Sequence, residues 1–262
     1  MVTSSSEFNN KPRVFIQLQN KTNDYVILSS YGFSGQINAW NYGRGKGAAF
    51  STKGKIWTIS GDNNCTIDEI GGTGKNIITV GAYTSKNSYT DFLGNPHIID
   101  FYTDYWEIAP FSSLGPTTDG RIKPNITAPG NVIVSSVNSF DTKYNSLNKD
   151  VVTGLTDGTN EWWFAIMSGT SMASPIATGI IALWLEADPT LTTSQIKEYL
   201  QSNSWTDTYT GTVPNNTWGW GKIDAHETIK KILISETLHD LGTILKGCNN
   251  SFCFFVSSEK II

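Results

Sequence analysis

Gly169-Thr170-Ser171-Met172-Ala173-Ser174-Pro175 is the stretch whose reading decides the fold. Ile176 to Leu185 comes directly after it and is apolar on nearly all sides. A helix without a polar face belongs inside a protein. Gly169 can take backbone angles that other residues avoid. Thr170, Ser171 and Ser174 all suit a helix start. Pro175 fits a first helical turn, where its missing N–H has no partner to lose. Ser171 is therefore expected at the mouth of a buried helix. Backbone N–H groups there are unpaired, and the dipole favours negative charge. A hydroxyl so placed can attack a carbonyl while those N–H groups hold the oxyanion. Most Ser and Thr residues at helix starts are only caps. The G-x-S-x-G elbow of α/β-hydrolases needs Gly two places after the Ser, where this chain has Ala173.

The 262 residues are enough for one large domain or two smaller ones, with a sizeable core. A net charge of -4 without a basic run argues against nucleic acid as a partner. Cys65, Cys248 and Cys253 form no metal-ligand spacing, and an odd count leaves one of them without a disulfide. No apolar run reaches the ~20 residues of a membrane span, and Met1 to Asn10 lacks the apolar core of a signal peptide.

Upstream of the heptapeptide, residues 1–12 read as a loose tail. Alternation around Val14, Ile16 and Leu18, then short runs at 25–28, 36–41, 48–51 and 55–60, suggests a β-rich insert over 13–70. Trp40, Tyr42 and Trp57 could stack on a sugar, but aromatics more often pack a core. Gly71-Gly72-Thr73-Gly74-Lys75 has the look of a phosphate loop without its spacing, because Lys75 is succeeded by Asn76. The next segment, Ile77 to Ala82, reads as a strand covered on both faces. Lys123-Pro124 and Ala128-Pro129 force extended backbone, and Asn131 to Val137 is the next strand. Residues 138–160 read as a hairpin or long surface loop. Downstream, Thr192 and Gln195 form a capping box, and Trp218 to Ala225 turns into a last helix over about 224–234. Residues 235–262 carry no clear pattern.

The heptapeptide closely resembles the nucleophile signature of subtilisin-like serine proteases. Ile77–Ala82, Phe111–Pro116, Lys123–Gly130 and Trp218–Ala225 resemble other stretches of that family, in its order. The resemblance implies that 71–234 is the C-terminal part of a subtilisin-like catalytic domain. It further implies an α/β fold, a mostly parallel sheet flanked by helices, partial here, with an N-terminal antiparallel β unit. Ser171 would be the nucleophile and one oxyanion donor, with Thr170 beside that site. Polypeptide would be the substrate and the location extracellular or cell-surface. Calcium is frequent in the family, but no D-x-D-type cluster argues for it, so no cofactor is expected.

The family order places Asp and His before Ser. Neither can be assigned in this chain. His97 sits in Asn95-Pro96-His97, which matches nothing, and His226 and His239 come after the Ser. Asp119 and Asp157 precede glycines but lie in loops, and Asn63 and Asn64 lack the setting of an oxyanion asparagine. The expectation is a fragment that is inactive alone, with the missing N-terminal half as a possible partner. The alternative is a non-catalytic binding protein, with a degenerate protease core and a β unit holding glycan or protein.

Overall fold

The computed structural model describes residues 2–6, 9–15, 39, 50–56, 59–67, 72–99 and 104–240, with side chains for 39, 50–56, 59–67, 72–99 and 104–233. The chain divides into two compact units, Met1–Ala48 and Ala49–Ile262. In the first, β1 (Val2–Ser6) pairs antiparallel with β2 (Asn9–Phe15), and Val2 faces Phe15 in the register. The composition points to a loose tail over 1–12; backbone pairing makes it a hairpin instead. Most of the expected β insert, with Trp40, Tyr42 and Trp57, lies outside the described residues. Within 50–67 the described residues form turns and loops rather than strands. Ile56 and Ile59 there are fully exposed or nearly so.

The second unit is built around a short parallel pair. β3 (Val80–Tyr83) lies beside β6 (Ile126–Pro129), with Ala82 opposite Ala128. Both strands are almost wholly buried, as an unbroken apolar run demands. Lys222 extends the sheet as a parallel bridge to Thr127. Its ammonium is fully buried, bonds Asp207, and stands over the rings of Trp205 at 4.6 Å and Trp218 at 4.8 Å. A buried charge so paired and ringed is tolerable where a bare one is not.

Among the described residues the other sheets are antiparallel, so β3 and β6, with the Lys222 bridge, are the parallel part described. β4 (Ser88–Thr90) and β5 (Pro96–Ile98) make a hairpin. β7 (Ile133–Ser136), β8 (Val151–Thr156) and β9 (Glu161–Met167) form a sheet in the order β7-β9-β8. The physical reason is local. The turn at 157–160, where Asp157 accepts from the Thr159 and Asn160 N–H groups, folds β9 directly back on β8.

Among the described residues three helices complete the unit. α1 (Thr170–Ala187) buries Ala173, Ala177 and Trp184, a stripe that packs on β3, β6 and α3 (Ala225–Asp240). α2 (Thr193–Asn203) carries the capping box: Thr192 Oγ1 accepts from the Gln195 N–H, and Gln195 Oε1 accepts from the Thr192 N–H. Asp224 caps α3 by accepting from the His226 and Glu227 N–H groups.

Lys123, three residues before β6, is 3 % exposed. Burial, then Lys197 and Arg121, lower its ammonium to about 8. Between about 8 and the ordinary lysine value, an unfolded chain holds this proton and the folded chain has lost it. Stability from this group therefore rises with pH in that window. Tyr83 opposes it above pH 10, because burial, then Asp207, raise its hydroxyl to about 12. Urea midpoints at pH 7.5 and 9.5 are expected to show a larger upward change in the wild type than in Lys123→Met. Equal changes would contradict the assignment.

Candidate active site

The heptapeptide is hung on the ends of the parallel pair. The Gly130 N–H donates to the Tyr83 carbonyl at 3.0 Å, and the Gly169 N–H donates to the Gly130 carbonyl at 2.8 Å. Ser171 thus lies outside the carboxyl ends of β3 and β6, where open α/β sheets place their sites. Gly130 permits the approach. A Cβ there would stand 2.5 Å from the Ala82 Cβ and 3.0 Å from the Gly169 carbonyl oxygen. Gly130→Ala is therefore expected to cost about 1–3 kcal/mol, the usual range for overpacking. An unchanged urea midpoint would count against this packing.

Gly169 is the N-cap of α1, at φ 156 and ψ 161, a region that side chains exclude. No side chain caps the helix. Thr170 is its first residue and is half-buried; Ser171 is its second and is exposed. The Met172 and Ala173 N–H groups turn back to the Gly169 carbonyl. Those of Thr170 and Ser171 lie in the turn where an α-helix supplies no acceptor. Just before the helix, Ser168 Oγ donates to Asn131 Oδ1 at 2.7 Å and accepts from the Val132 N–H at 3.0 Å. This clip ties the approach to the helix onto the strand that becomes β7. Sequence reading passed over Ser168 and Asn131, which belong to no motif and meet only in the fold.

Two details depart from expectation. Pro175 is the sixth helical residue, not part of the first turn. Its missing N–H is the one that would have bonded the Ser171 carbonyl. The helix is also not buried all round: Thr178, Gly179, Ala182 and Leu183 are exposed, because the described neighbours cover only one side.

The histidines stand elsewhere. His97, on β5, holds Asp91 Oδ2 at 2.8 Å and stacks on Tyr89 at 4.9 Å. The His97 hydrogen bond, then those from Asn95, hold the Asp91 carboxyl down at about 2 despite its burial. His226 is an exposed residue of α3, and the side chain of His239 lies outside the described residues. Asp119 pairs with Arg121, and Asp157 serves its turn. Asn64 is exposed, its N–H held by Asp62. Among the described residues no hydrogen bond joins any of these groups to Ser171. Nor do the described residues contain a group of three or more His, Cys, Asp or Glu side chains that could hold a metal.

The subtilase family model matches residues 18–221, most of the chain and all of this site. The chain belongs to the subtilase family. It is 35% identical over 158 residues to the serine protease AprX of Bacillus subtilis, covering 60% of this chain and 30% of AprX. It is 35% identical over 136 residues to the protein aq_aa18 of Aquifex aeolicus, covering 52% of this chain and 53% of that one. The CspB protease of Clostridium perfringens aligns in structure with a TM-score of 0.42 and 26% identity, over 65% of this chain and 29% of that one. The chain thus spans about half or less of the length of these relatives. Its α/β core is, by family, subtilase-like.

Proposed function

We propose that this chain carries the nucleophile of a subtilisin-type serine endopeptidase, acting on extended polypeptide. The observation that supports this most is the placement of Ser171: an exposed hydroxyl on the second residue of α1, beyond the carboxyl ends of two buried parallel strands. In this reading Ser171 Oγ attacks the peptide carbonyl carbon. The Ser171 N–H donates to the oxyanion that forms, with Thr170 flanking it. Collapse expels the amine and leaves an acyl ester on Ser171, which water then hydrolyses.

The serine proton needs an acceptor, and none of the three histidines of this chain is bonded to Ser171 among the described residues. We assign that role to an Asp and His pair on polypeptide outside these 262 residues. The chain by itself is then inactive. Co-expression with a polypeptide bearing the family's Asp and His should restore cleavage, and Ser171→Ala should abolish it. Restored cleavage that survives Ser171→Ala would overturn the reading. A relative, the minor extracellular protease Vpr of Bacillus subtilis, is 32% identical over 148 residues, and an extracellular or cell-surface location is proposed here on that basis. No described helix is long and apolar enough to cross a membrane.

A further inference from the structure

The Gly-rich loop before β3 lacks a nucleotide spacing, yet the fold gathers cations around it. Arg121 donates from Nη2 to the Thr73 carbonyl at 2.7 Å, and Lys197 Nζ donates to the Lys75 carbonyl at 2.9 Å. Lys123 Nζ donates to the Ile77 carbonyl at 2.7 Å, Thr79 Oγ1 at 2.9 Å and Asn125 Oδ1 at 2.7 Å. Lys75 is exposed on the same loop. Among the described residues, the carboxylate bonded to this group is that of Asp119, which takes the Arg121 Nε–H. Among the described residues positive charge is therefore in surplus here, in a chain of net charge -4.

The donors are arranged in two layers. Lys123 is buried with all its protons committed, so it supplies charge and not contact. Lys197 and Arg121 are partly exposed at the rim, and each has N–H donors beyond the bonds just given. A guanidinium and an ammonium seated on carbonyls two residues apart in one loop, those of Thr73 and Lys75, suit the oxygens of a compact dianion. We propose that this rim is a binding site for a small divalent oxyanion of the sulfate or phosphate type, ligated by Arg121 and Lys197 with the Lys123 charge behind. The site is separate from Ser171 and stands whether or not that residue is a nucleophile. An anion there would also oppose the downward push that Lys197 and Arg121 add to burial at Lys123.

The test is calorimetric titration of the full chain with sodium sulfate, sodium chloride holding the ionic strength constant. Saturable binding is expected, weakened at least about tenfold in Lys197→Met and in Arg121→Gln, the size of one charge-assisted hydrogen bond. In the wild type, sulfate should also move the Lys123 titration upward by NMR, which requires no variant. Absence of saturable binding overturns the proposal. So does a thermal stabilisation that climbs without limit and equally in both variants, which is the general exclusion effect of sulfate.

Discussion

The purified 262-residue chain is expected to leave casein uncut at every pH from 5 to 10. Serine is a poor nucleophile until a base takes its proton. The described histidine side chains stand elsewhere: His97 is bonded to Asp91 and stacked on Tyr89, and His226 lies exposed beside Glu227 on α3. In subtilisin itself, loss of the histidine lowers turnover about 10⁶-fold, and that figure sets the scale of the deficit expected here. Casein cleavage that disappears in Ser171→Ala would show that a base is present within the chain after all. Cleavage that persists in Ser171→Ala would point to a contaminating protease.

The largest effect on stability is expected at Trp184. It is 1 % exposed and ties α1, to which it belongs, to α2 and α3. Its indole N–H donates to the Ala225 carbonyl at 3.4 Å, and its ring meets Tyr199 edge-on at 6.3 Å. Trp184→Ala should cost about 3–5 kcal/mol, as large aromatic deletions in cores do. That is a major share of the roughly 5–15 kcal/mol that holds a domain together. Leu183 is the neighbouring residue and is 48 % exposed. Leu183→Ala should therefore cost under about 1 kcal/mol, near the range of surface substitutions. Similar urea midpoints for the two variants would contradict the burial pattern of α1.

The helix start at residues 169–171 was legible because Gly, Thr and Ser before an apolar run admit few other conformations. The capping box of α2 was legible for the same reason, since both partners lie within one turn. The burial of α1 was not. Its sequence is apolar on most sides, but burial depends on what packs there, and β3, β6 and α3 reach only one face. The position of Pro175 was misread because Gly169, not a serine hydroxyl, caps the helix, which moves the proline into the second turn. Of the antiparallel β7-β9-β8 sheet, the strand over 131–137 is legible, but the hairpin or surface loop read over 138–160 stops short of the β8–β9 hairpin, and the pairing of β7 with β9 joins residues 32 apart in the chain, such as Val134 and Ile166. The seat of the motif on the Gly130 carbonyl was likewise invisible, because nothing in the local sequence says which strand end lies beneath Gly169.

Labelling by a fluorophosphonate tests the central claim most directly, because the reagent bonds only to an activated serine. With a polypeptide carrying the family's Asp and His present, peptide mapping should find the label on Ser171, and none in Ser171→Ala or in the chain alone. A label on any other serine, or equal labelling of Ser171 in the chain alone, would contradict the account.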